Sequence, residues 1–240
     1  MKNKVVLSVF ILLFLCAFLV SPALRQAQGG ERGTSSLSFL KLGAGARAVG
    51  MGGAFCAQSN GVASPFWNPA APSGIQGTQI SLTHTQWFQD ITADYFSSAT
   101  KVGENVFGLS LSLGKVPDIQ KRGDVATTEP LALFDAHDVV VSFFYARNLR
   151  NKYAIGLSVK WIYEKIDITS ASGLGFDLGG IFSPFSGTGK PVLQDLTFGA
   201  AVLNLGSKMK FEKLFPLTPR YYPVCCSLFL QKVSHSVCMS

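Results

Sequence analysis

Charged side chains are scarce: Asp, Glu, Lys and Arg make up 15% of the 240 residues, against roughly 25% in soluble domains. The formal charge of +7 is scattered, with no basic run, so nucleic acid is not an expected partner. Histidine occurs only at His84, His137 and His235, which are widely separated. Asp135 and Asp138 flank His137, and a solvated polar loop is the simpler reading of that trio than a cation site. The five cysteines form no C-x-x-C pair, and Cys225, Cys226 and Cys238 crowd into the last sixteen residues. This argues against a disulfide scaffold and against a metal site. Gly156-Leu157-Ser158-Val159-Lys160 begins like a G-x-S-x-G elbow but lacks the final Gly and lies within a strand pattern. No nucleophile, base and orienter come together, so the expectation is no enzyme, no cofactor and no metal.

Long apolar runs are absent beyond the first residues, so no later segment is expected to span a bilayer as a helix. The exception lies at the start. Lys2 and Lys4 precede an apolar run from Val5 to Val20 broken only by Ser8, and Ser21-Pro22-Ala23 offers small residues for cleavage. Residues 1–23 thus read as a signal peptide of an exported protein.

Acidic residues are also missing from everything between Glu31 and Asp90. That absence decides the meaning of Gly43-Ala44-Gly45-Ala46-Arg47-Ala48, a formal match to the dinucleotide fingerprint. Such a site needs an acid about 20 residues on to hold the ribose, and a helix after the glycines. Gly50, Gly52 and Gly53 interrupt any such helix, and no G-K-[ST] follows. The glycines serve something other than a nucleotide.

What the chain does have is 24 Gly and 19 Phe, a mixture suited to strands rather than helices. From Thr78 onward it breaks into alternating segments. In Lys152 to Ile166, Tyr153, Ile155, Leu157, Val159, Trp161 and Tyr163 share one face. Ala154, Gly156, Ser158, Lys160 and Glu164 share the other, with Ile162 the exception. Period two specifies a strand, here roughly 45 to 50 Å long. Asn105 to Lys115 repeats the pattern, as does the segment in which Leu174, Phe176, Leu178 and Phe182 oppose Gly173, Gly175, Asp177 and Gly179. Weaker strands are expected at Thr78 to Trp87, Ile91 to Lys101, Asp138 to Ala146 and Gln194 to Leu205.

A soluble sandwich puts charges on its outer face, yet the second face here carries mainly Gly, Ala and Ser. Large apolar residues opposite small polar ones, with aromatics near strand ends, is the pattern of a transmembrane antiparallel β-barrel. An exported soluble β-sandwich with a binding or structural role is the alternative. In a barrel, Ser158, Lys160, Glu164 and Asp177 face the lumen. The segment Val116 to His137 is expected as a long outer loop, with tight connections at Val102-Gly103-Glu104 and Asn148 to Asn151 on the other side.

"GARAVGMGGAF" (Gly45 to Phe55) followed by "WNPAA" (Trp67 to Ala71) resembles the N-terminal signature of the PorV/PorQ family, outer-membrane proteins related to FadL-like transporters. The resemblance continues through "SLTHTQWFQDITADYFS" (Ser81 to Ser97), "SASGLGFDLGGIF" (Ser170 to Phe182) and "AVLNLGSKMKF" (Ala201 to Phe211), covering roughly Ser36 to Arg220. Ala71 departs from the Gly usual there. The resemblance implies a Gram-negative outer-membrane barrel of about fourteen strands in full-length members, half of them present here. It also implies an N-terminal segment inside the lumen, marked by Arg47, Gly50, Gly52, Gly53, Asn68 and Pro69, where Gly permits sharp bends and close approach to the wall. Arg47 is then either paired with a lumen acid such as Glu164 or Asp177, or exposed in a flexible arm. Implied partners are outer-membrane lipid, with either secretion-machinery components and cargo proteins or hydrophobic small molecules. The expected organisation is a signal peptide over 1–23, a lumenal segment over 24–77, a partial barrel over 78–220 and an atypical tail over 221–240. The tail loses the Gly and the alternation, which suggests a truncation or frameshift after about Arg220; the alternative is a smaller eight-stranded barrel with Tyr221 to Val233 as its last strand.

Overall fold

In the computed structural model, the alternation read between Lys152 and Ile166 becomes a strand whose burial also alternates. Ile155, Leu157, Val159 and Trp161 are about half exposed, at 47–50%, while Ala154, Gly156, Ser158, Lys160 and Ile162 are buried. The structure describes residues 38–58, 61–123, 128–149, 152–186, 196–206, 209–210, 214–215 and 220–227. The expected signal peptide and residues 228–240 of the expected tail lie outside these.

The fold is all-β and antiparallel. Seven strands follow one another as hairpins: β1 (Thr78–Gln86), β2 (Thr92–Val102), β3 (Asn105–Lys121), β4 (Ala132–Leu149), β5 (Tyr153–Ile166), β6 (Thr169–Phe182) and β7 (Thr197–Gly206). Two short strands, β8 (Met209–Lys210) and β9 (Leu214–Phe215), pair with each other. The next strand, β10 (Arg220–Ser227), pairs with β7, so one sheet runs β1-β2-β3-β4-β5-β6-β7-β10. Among the described residues β1 and β10 remain its two edges. No described helix is long and apolar enough to cross a membrane, which says nothing about crossing with strands.

The expected outer loop from Val116 to His137 needs correction. Val116 to Lys121 and Ala132 to His137 are strand, so β3 and β4 continue as a projecting hairpin. A bulge between Val116 and Ile119 accommodates Pro117, which cannot donate to a ladder, and Asp118, at φ 54°. Neither face of this stretch is uniformly apolar, so alternation could not reveal it. β6 likewise begins at Thr169, four residues before its apolar-glycine pattern.

The described residues of 38–77 carry short elements: a 3₁₀ turn at Ser38–Leu42, helix α1 (Ala46–Gly50), and 3₁₀ turns at Ser64–Phe66 and Ala71–Gly74. This segment covers the face of the sheet that bears the small residues. Leu40 packs with Val140, Ile162 and Ala171. Val62 and Ile75 pack with Ala99, Val106 and Phe144, Ala70 and Ala71 with Ala154 and Ile181, and Cys56 with Ala201 and Leu203. Ile162, the one large residue out of phase in β5, is fully buried because Leu40 meets it there.

Close approach requires Gly in the wall. Gly156 of β5 and Gly179 of β6 are cross-strand partners. A Cβ on Gly156 would strike the backbone of Pro69 and Ala70, and one on Gly179 would strike Asn68 and Pro69. Together they form a slot that receives Asn68-Pro69-Ala70. Gly156→Ala is expected to lower stability by about 1–3 kcal/mol through overpacking. Gly50→Ala, with nothing near its added methyl, should stay within about 0.5 kcal/mol of the parent. Thermal unfolding of the two variants side by side tests this; equal losses would remove the slot as an explanation for Gly156.

Candidate functional site: a packed inner face

The segment is organised around Trp67. Its ring lies under Gly43 and Gly53, both at positive φ (80° and 79°), where an added Cβ would come within 2.9 and 3.2 Å of the indole. The indole N–H donates to the carbonyl of Ala44 at 2.9 Å. The glycine-rich stretch thus folds back over an aromatic ring. Gly52 has positive φ and Gly50 is exposed, and a Cβ at either would meet open space.

Asn68 next to it is fully buried. Its Nδ2 donates to the Cys56 carbonyl at 2.7 Å and to the Gly180 carbonyl of β6 at 3.2 Å, while its Oδ1 accepts the Ala70 amide at 2.9 Å. One side chain therefore ties two parts of the segment to each other and to the wall. Pro69, also fully buried, fills the slot beside it.

The wall contributes a charged cluster. Lys160 of β5 reaches Asp177 Oδ2 of β6 at 2.8 Å and donates to Asn204 Oδ1 of β7 at 3.0 Å. Asp177 Oδ1 accepts the Asn204 amide at 2.8 Å. The β6–β7 register shifts at this point: Phe176 pairs with Leu205 and Leu178 with Val202, so Asp177 faces two residues of β7. Asn204 takes the left-handed conformation at φ 60° that this bulge demands and that Asn tolerates. Gly175 is the direct cross-strand partner of Lys160, and the lysine reaches Asp177 two residues further along β6.

Above the cluster, Leu40 and Phe66 of the segment and residues from five strands, including Tyr95, Ser110, Ser142, Ser158 and Leu203, line a single cavity of about 20 Å³. In a flat sheet, strands β2 and β7 would lie about 24 Å apart. The sheet therefore curls around the segment. The remaining space suits about one water molecule.

Of the residues singled out by sequence, Ser158, Lys160 and Asp177 share this buried face, and Lys160 meets Asp177 directly. Glu164 is on the same face but half-buried, toward the end of β5, opposite Asp138 and Ala171. Asn68 and Pro69 lie within the slot. Arg47 is exposed, and the carboxylate of Asp177 proposed for it is held by Lys160 instead. Asn204 was not anticipated; the only sign of it was the break in alternation at Leu203-Asn204. Among the described residues no three His, Cys, Asp or Glu side chains converge as a metal site.

A curled antiparallel sheet packed around its own N-terminal segment, with polar residues buried and large apolar ones outside, is the class of architecture defined here. A family model describing the uncharacterised protein family UPF0164 matches residues 19–160, and the chain belongs to that family. No curated protein matches it.

Lys160→Met would leave Asp177 buried without its countercharge and is expected to cost about 3–5 kcal/mol. Adding Asp177→Asn, which retains an acceptor for the Asn204 amide, should recover part of that loss. A double-mutant cycle in chemical denaturant reads the coupling; additive losses would mean the pair does not act as a unit.

Proposed function

We propose that this chain is an outer-membrane β-barrel protein of PorV/PorQ type whose N-terminal segment occupies the lumen. The observation that carries the reading is the orientation of the sheet. Leu157, Val159, Trp161, Leu174, Phe176 and Leu178 stand about half exposed while Ser158, Lys160 and Asp177 are buried. Water would penalise that arrangement and hydrocarbon would favour it.

Dimensions agree. Four successive outward rows across β3 to β6 carry no charge, from Leu113–Val139–Tyr163–Ser172 to Phe107–Tyr145–Leu157–Leu178. The polar residues that bracket them on β4, His137 and Arg147, are ten residues apart in number. With strands tilted by roughly 40°, that separation spans an apolar band about 25 Å tall. Aromatic stacks mark its two ends: Trp161 with Tyr163 at 6.0 Å between ring centres, and Tyr153 with Phe182 at 4.8 Å. The alternative, a soluble exported β-sandwich, would need a second layer over the outward face.

Between the two roles implied by the resemblance, the packed interior supports cargo handling for a secretion system over permeation by hydrophobic compounds. A permeation path through this interior would require the segment to leave it. Removing the gene should abolish surface delivery of a secreted cargo while uptake of hydrophobic compounds continues; the reverse result transfers the assignment to transport. The membrane reading has its own test. In a W87F chain reconstituted in vesicles, lipids brominated on their acyl chains should quench Trp emission, and adding W161F should remove most of the quenching. A monodisperse protein without detergent, insensitive to bromine, would establish the soluble alternative.

A further inference from the structure

We infer that the outward face carries a binding row for the headgroup of an acidic phospholipid, formed by Lys115, His137 and Lys165. This rests on the membrane reading above and names a lipid for one edge of the band. The strand registers pair Lys115 with His137 and His137 with Lys165, so the three stand side by side on β3, β4 and β5. All three are exposed. With neighbouring Cα atoms about 5 Å apart, they span about 10 Å, a width suited to one or two phosphate groups.

Their depth argues for lipid. The next outward row toward the band is Leu113–Val139–Tyr163, followed by Leu111–Val141–Trp161. Acyl chains lying on these rows put their phosphate at the level of the two lysines, and Lys stems can extend along apolar surface while the ammonium remains in the polar layer. Asp135, one outward row further from the band, tempers the charge by pairing with Lys115 at 3.3 Å and lying 3.9 Å from His137. Lys165 has no acidic partner within ion-pair distance among the described residues. The row thus keeps a positive excess against the band. Farther out, Lys121 is already neutralised by Asp167 at 2.6 Å.

The full chain is reconstituted in nanodiscs of phosphatidylcholine doped with phosphatidylglycerol, and the lipids retained after mild detergent extraction are counted by native mass spectrometry. Phosphatidylglycerol should be enriched over its bulk fraction, with each lysine contributing about fivefold. K115Q/K165Q should return the ratio to bulk, D135N should raise it, and R122Q, at the hairpin tip, should leave it unchanged. Enrichment that persists in excess inorganic phosphate identifies the lipid as the ligand. Enrichment abolished by inorganic phosphate reassigns the row to free anions and overturns the inference. Insertion is read separately by brominated-lipid quenching: a chain that inserts but retains lipids at the bulk ratio overturns the lipid row alone. A chain that does not insert overturns the membrane reading with it.

Discussion

The structure depends on what fills the concave side of the sheet. Most bulky apolar side chains of the strands point outward, so the inner face is largely Gly, Ala, Ser and a few polar groups, and its larger residues, among them Val106, Val140, Phe144 and Ile162, are those that meet the segment. A second sheet laid on such a face would find little apolar side-chain surface to bury. Residues 38–77 solve the problem by bringing backbone as well as side chains to the wall. Four of the apolar clusters join segment to wall, and the fifth, Ala48, Phe55 and Trp67, stabilises the segment itself. Small residues in the wall and turns in the segment are two halves of one fit.

The polar groups on this face fix geometry more than they add stability. Burying an ammonium and a carboxylate costs several kcal/mol each before their attraction is counted, and the pair approaches balance only when further hydrogen bonds are made. Here Asn204 supplies both, accepting from Lys160 and donating its amide to Asp177. The same contacts hold the bulge that shifts β7 against β6. Replacing the trio by apolar residues would remove a reason for that register, and the slot for Asn68 sits on the same strand as Asp177.

Legibility in the sequence followed contrast between faces. β5 was readable because Tyr, Ile, Leu, Val and Trp alternate with Ala, Gly, Ser and Lys, and parity alone assigns Ser158, Lys160 and Asp177 to one side. The outer parts of β3 and β4 were not readable, since Asp118, Gln120, Lys121 and His137 are charged or polar and exposed, and Asp135 is only partly buried. Pro117 also argues locally against a strand. The glycines at 43 and 53 were recognisable as non-nucleotide, but nothing local says that Trp67 is what they cover. Asn204 owes its role to a bulge defined by two strands at once, and no single-strand pattern contains that information. The row of Lys115, His137 and Lys165 was equally hidden, because the three become neighbours only through the registers.

The slot made by Gly156 and Gly179 also has a consequence for the order of folding. It belongs to two strands, so it does not exist until β5 and β6 have paired. The neighbouring contact, Asn68 with Gly180, spans 112 residues, whereas β5 and β6 are joined by Asp167 and Ile168 alone. Closing so long a loop carries an entropic cost that local pairing avoids. The first described part of the chain to leave the ribosome is thus among the last to reach its place, waiting for a wall that is synthesised after it.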